Sequence, residues 1–184
     1  RITIINRGVN SAPLTVLPTL WFRNRWSSNP GRKKPLITLM HHETDGPYAV
    51  AEHSTVGTYH LYFQHAQQHL FTENEINQLR VYGSPNPTPF VKDAFHEVIT
   101  NNNNDLLSGK THGTKFSPVY NLELLPGEKK EIVLRLSEKP IETDPFSGME
   151  HVTGERRREA IDFMLALAPK QANVDLNNIM HQAM

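Results

Sequence analysis

Between Val119 and Leu125 apolar and polar residues alternate, with Tyr120, Leu122 and Leu124 on one side and Asn121 and Glu123 on the other. A period of two is the pattern of a half-buried strand. Pro126-Gly127 follows, the pair a type II turn requires, because proline presets φ and glycine accepts the positive φ of the next position. Ile132, Leu134 and Leu136 then alternate with Glu131, Val133 and Arg135, so the two runs predict a β-hairpin. Shorter runs predict strands at Ile2–Asn6, Leu14–Phe22, Tyr48–His53, Thr58–Phe63, His69–Glu73 and Ala94–Thr100. No helical crossover separates them, which argues against a parallel α/β fold. Thirteen prolines and ten glycines punctuate the runs and suit a sandwich of antiparallel sheets better than a helical fold. The Asn101–Asn104 tract predicts an exposed turn or a mobile loop.

The period changes near residue 149. Ile161, Met164, Leu165 and Ala168 form a helical stripe that Pro169 terminates. A start at Gly154 would set Arg156, Arg157 and Arg158 against the helix dipole, so a start nearer Met149 is expected. A second helix is expected from Asp175 as N-cap, with Val174 and Ile179 placed for a hydrophobic staple. The expected organisation is mainly β: a sandwich over residues 1–145, a linker helix over 146–173 and the start of a further helix at 174–184. The chain opens without Met inside a strand pattern. It closes on an apolar stripe (Leu176, Ile179, Met180, Ala183) with no stop signal, so it reads as a piece of a larger protein.

Composition narrows the function classes. The 184 residues carry nineteen acidic and nineteen basic side chains, a balance without the basic surplus of a nucleic-acid binder. No apolar run approaches the roughly 18 residues of a membrane span. There is no cysteine and no Asn-X-Ser/Thr sequon, which fits a cytoplasmic protein without disulfides or thiolate chemistry.

The segment Leu17-Pro18-Thr19-Leu20-Trp21-Phe22-Arg23-Asn24-Arg25-Trp26-Ser27 resembles a signature of bacterial glucosidases of glycoside hydrolase family 63, the mannosyl-oligosaccharide glucosidase-like enzymes. Leu70–Glu75, Pro89–Glu97 and His112–Lys115 follow in the family's order, and Asn178–Ala183 is similar to the first helix of its barrel. The resemblance implies an N-terminal β-sandwich (a supersandwich), a linker, and a catalytic α/α barrel that hydrolyses α-glucosidic bonds with inversion. Inversion needs one carboxylic acid and one carboxylate acting as base. The family carries both on the barrel, so the resemblance places no catalytic residue in this chain. It implies instead a non-catalytic scaffold whose partner is the barrel; the alternative is a free-standing β-sandwich module that binds carbohydrate, with Trp26 as its stacking platform, or another protein.

Of the candidate sites, Arg23, Asn24 and Trp26 combine an indole with polar groups, as carbohydrate sites do, and Lys92 and Asp93 lie in a proline-stiffened loop. These five are expected at a substrate or interdomain contact, with carbohydrate as the conceivable ligand. Trp21 continues a strand and is expected in core or interdomain packing. Glu73 with Glu75, and Asp93 with Glu97, are expected to serve structural roles. His41-His42-Glu43 lacks further ligands, and His65 with His69 needs a helix to converge, so no metal and no cofactor is expected.

Overall fold

The computed structural model describes residues 1–29, 31–42, 46–169 and 173–183. The chain divides into two compact units, Arg1–Pro145 and Phe146–Met184.

The first unit is mainly β, with every strand pair antiparallel. Its strands are β1 (Ile2–Ile5), β2 (Ala12–Val16), β3 (Leu20–Trp21), β4 (Leu36–His42), β5 (Gly46–His53), β6 (Gly57–Phe63), β7 (Gln68–Thr72), β8 (His112–Gly113), β9 (Lys115–Leu124), β10 (Lys129–Ile132) and β11 (Leu134–Ser137). A five-stranded sheet runs β11-β6-β5-β4-β8. In a second sheet β9 is central, with β2 and β3 along one edge and β7 on the other. Strands β1 and β10 form a separate ribbon. Two short helices, α1 (Gln78–Tyr82) and α2 (Ala94–Ile99), lie between β7 and β8, with a 3-10 turn at Asn104–Leu107.

The register explains the core. In the five-stranded sheet Ile37 faces Ala51, and Ala49 faces Leu61, so one face carries the buried residues. They meet Phe71 and Phe116 of the second sheet in one cluster, where both phenylalanines are fully buried with ring centroids 4.6 Å apart. The opposite face of the second sheet offers Leu70 and Val119, which Ala94, Phe95 and Val98 of α2 cover together with Leu107.

Several expectations are corrected. Ala94–Thr100 is not a strand: alternation leaves neither face apolar, whereas helical spacing gathers Ala94, Phe95 and Val98 on one side. Leu14–Phe22 is broken at Leu17–Thr19. The break lies opposite Ser117-Pro118-Val119; Pro18 within it and Pro118 across from it cannot donate, and the Ser117 hydroxyl donates to the Pro18 carbonyl instead. The Pro126-Gly127 turn forms, with Gly127 at φ 74° and Glu128 N–H donating to the Leu125 carbonyl at 3.0 Å. Its arms do not pair with each other, however. β9 pairs with β2 and β10 with β1, and Asn6 between β1 and β2 bonds both Gly127 and Glu128. Strand β4 and helix α1 were not expected; Leu36-Ile37-Thr38-Leu39-Met40 has apolar residues on both faces and so shows no alternation.

The second unit holds helices α3 (Met149–Leu167) and α4 (Val174–Ala183). Helix α3 starts where the arginine argument puts it, after Gly148 at φ 70°, and Ala168 turns extended before Pro169. The cap of α4 is Asn173, whose side chain accepts from Leu176 N–H at 2.8 Å, rather than Asp175. Val174 and Ile179 are both exposed and make no packed staple. Among the described residues no helix is long and apolar enough to cross a membrane.

Candidate functional site

The extended segment Glu73-Asn74-Glu75 after β7 is the hub of the polar end of the first unit. Residues two apart on extended chain share a face, and Glu73 and Glu75 both reach Lys34. The Lys34 ammonium lies 3.1 Å from Glu73 Oε2 and 2.8 Å from Glu75 Oε1. Glu75 Oε1 also accepts from the Trp26 indole N–H at 2.9 Å. Burial disfavours the Glu75 charge, but the bonds from Lys34 and Trp26 outweigh it and hold the carboxyl below its ordinary value. Burial likewise works against the Lys34 charge, and the bonds to Glu75 and Glu73 override it, raising the ammonium above the usual lysine value. Glu73 adds Lys110 at 3.6 Å and the Thr114 hydroxyl at 3.1 Å.

Backbone geometry ties the rest to this hub. Asn74 N–H donates to Thr114 Oγ1 at 2.7 Å, and its side-chain amide donates to the Phe22 carbonyl at 2.8 Å. Glu73 N–H donates to the Phe90 carbonyl, and Lys92 N–H to that of Glu75. Gly113 lets β8 cross Thr72 closely: a Cβ there would lie 2.4 Å from the Thr72 carbonyl oxygen. Leu17–Ser27, Leu70–Glu75, Pro89–Glu97 and His112–Lys115, distant in sequence, therefore meet at one place.

Asn24, Trp26 and Asp93 are part of this framework, each in its own way. The Asn24 side chain clamps Ser27 twice, donating to its hydroxyl and accepting from its N–H. Asp93 accepts from the Asn77 amide and pairs with Arg80 at 3.3 Å. Asn77 in turn caps α1 at Arg80 N–H and accepts from Asn86, whose own oxygen takes Leu79 N–H. Lys92 is exposed, and its carbonyl accepts from the Lys115 ammonium at 2.7 Å. Arg23 is exposed. Trp21 was expected in core or interdomain packing; at 56% exposed it lies outside the core of this unit, its strand ends after it, and its strand partner is Lys115. Glu97 bonds Asn101 and stays apart from the hub.

His65 lies in the connection between β6 and β7, off any helix, and His69 lies in β7. His69 Nε2 is buried without a partner among the described residues, and burial, then His41, lowers its pKa. Glu43 lies outside the described residues, among which no cluster of three metal-binding side chains occurs.

Grooves open on either side of the hub. One of about 470 Å³ is bordered by Lys34, His53, Glu73 and His112. Another of about 310 Å³ lies between the Trp26 loop and α1, bordered by Asn24, Ser27, Glu75, Gln78, Tyr82 and Pro87. A third of about 720 Å³ lies around Arg80, Asp93 and His96. Reasoning from sequence passed over Gln78 and Tyr82, and it gave Lys34 and Thr114 no role of their own. The i, i+2 spacing of Glu73 and Glu75 signals a shared cation, but nothing local names Lys34 as that cation.

The chain is 25% identical, over an alignment of 219 residues, to an uncharacterized protein of Saccharomyces cerevisiae, YMR196W. All of the chain is covered, but it spans only 20% of that relative's length. No family model and no solved structure matches it.

Proposed function

We propose that residues 1–145 are the non-catalytic antiparallel β-sandwich of a larger α-glucosidase resembling glycoside hydrolase family 63, and that α3 and α4 lead toward its catalytic α/α barrel. The observation that carries this reading is the convergence on Glu73-Asn74-Glu75 of the four segments in the β-rich unit that bear the family resemblance. Two sheets sharing one core cluster support the sandwich. The yeast relative, of which the chain matches a fifth, supports a larger parent.

On this reading Arg23, Asn24, Trp26, Lys92 and Asp93 stand at the end of the β-rich unit that meets the barrel. Glu75 is poorly suited to be the acid of an inverting pair. A general acid needs a raised pKa, and Glu75 is held low by Lys34 and Trp26. The carboxylates of the hub serve architecture, and those that cleave the bond lie outside this chain.

The test is hydrolysis of an α-glucoside by the product of the complete reading frame, with the first-released anomer read by NMR. The reading expects β-glucose from the complete product and no turnover by residues 1–184. First release of the α-anomer, or saturable hydrolysis by 1–184, would overturn it.

A further inference from the structure

We infer that the groove between the Trp26 loop and α1 is a binding site for a neutral saccharide, with Tyr82 as its stacking surface. This goes beyond the scaffold role and rests on the groove's own chemistry, whatever the parent enzyme cleaves.

The lining mixes two kinds of surface. Tyr82, 68% exposed, and Pro87 offer apolar faces, and Ile76 adds a third. Between them stand Glu75, Gln78, Asn24 and the Ser27 hydroxyl. A sugar ring has the matching duality, with C–H faces that pack on an aromatic ring and hydroxyls around its edge that both donate and accept. Polar capacity is left over for such a ligand. Glu75 spends Oε1 on Trp26 and Lys34, while Oε2 accepts no bond among the described residues. The Gln78 amide is exposed and likewise makes none, and Ser27 Oγ accepts from Asn24 while keeping its own proton to donate.

The walls are set before any ligand arrives. Asn24 holds its loop through both bonds to Ser27, and the Trp26 indole is pinned to Glu75. Across the groove, α1 is fixed by the chain of contacts from Asn86 through Asn77 to Asp93 and Arg80. Rigid walls reduce the ordering cost of binding. The Trp26 indole, its N–H committed to Glu75, does not line the groove, and the ring open to a ligand is that of Tyr82. The volume of about 310 Å³ stands at the lower end of ligand pockets and suits one or two sugar rings. A protein partner would use the apolar residues of α1 (Leu79, Val81 and Tyr82) and would have no use for Glu75 and Gln78, which line the groove.

The experiment titrates the intact 184-residue chain with glucose, maltose and cellobiose, following saturation-transfer NMR and tryptophan fluorescence. At least one sugar is expected to saturate. Tyr82→Ala and Gln78→Ala should each weaken it roughly tenfold, while Tyr82→Phe keeps most of the affinity and Trp21→Ala changes nothing. Circular dichroism on each variant separates lost binding from lost fold. Three results would overturn the inference: no saturation by any of the three sugars, binding that survives both alanine variants, or self-association abolished by Val81→Glu, which would assign this face to a second copy. None depends on the parent's hydrolytic activity, so failure here leaves the glucosidase reading to its own test.

Discussion

The two units of the chain handle their apolar residues in opposite ways. In Arg1–Pro145, phenylalanines at the centre of the sheets are sealed from water, and a second cluster is sealed under α2. In Phe146–Met184, Met164 is the one buried residue of α3, while Val152, Phe163, Leu165 and Leu167 stay exposed, as do Val174 and Ile179 of α4. Apolar burial contributes about 25 cal/mol per Å², so the β-rich unit carries its own driving force for folding and the helical one leaves much of its potential unused. Helices with uncovered apolar faces are interaction surfaces by the ordinary logic of exposed patches.

Substitutions sharpen this contrast. The largest loss is expected from Phe116→Ala, about 3–5 kcal/mol of unfolding free energy by chemical denaturation, because a fully buried ring leaves a cavity between two sheets. Gly113→Ala is next at about 3 kcal/mol, since its Cβ meets backbone rather than a side chain that can swing aside. Lys34→Met comes third, at about 2 kcal/mol near neutral pH: it strands two carboxylates together, although the partial exposure of Lys34 moderates the cost. That contribution has a pH signature. A carboxyl held low stabilises above its unfolded value of 4.5 and loses that contribution as pH falls through its folded value. Denaturation midpoints of the parent chain should therefore drop on acidification below about 4.5, and those of Lys34→Met should drop less. The smallest effect is expected from Leu165→Ala in α3, within about 0.5 kcal/mol, because the side chain has little contact to lose. A loss as large as that of Phe116→Ala would erase the contrast.

What could be read along the chain was what neighbours in sequence decide. The Pro126-Gly127 turn and the end of α3 before Pro169 are local chemistry and appear where expected, and Asn101–Asn104 is exposed, with Asn104 opening the 3-10 turn. The partners of the strands flanking that turn are not local. Asn6, more than a hundred positions away, takes the turn's hydrogen bonds, and β1 and β2 occupy the edges that a hairpin would have used. Helix α2 was lost for a related reason: Ala94-Phe95-His96-Glu97-Val98 is too short for period alone to decide, and the packing of Leu70 and Val119 against it settles the matter. At the site, Asn24, Trp26 and Asp93 stood out by residue type, but the hub depends on Lys34, which reaches it from the segment before β4, and on Gly113 and Thr114, which the close crossing of β7 and β8 brings to it.

Amide hydrogen exchange, compared between residues 1–184 alone and the product of the complete reading frame, tests most directly whether the chain is a supporting piece of a larger enzyme. The account predicts that amides around Phe71 and Phe116 are equally protected in both, while those of α3, α4 and the Trp26 loop gain protection in the complete product. Equal protection of the helices and loop in the two samples would contradict it.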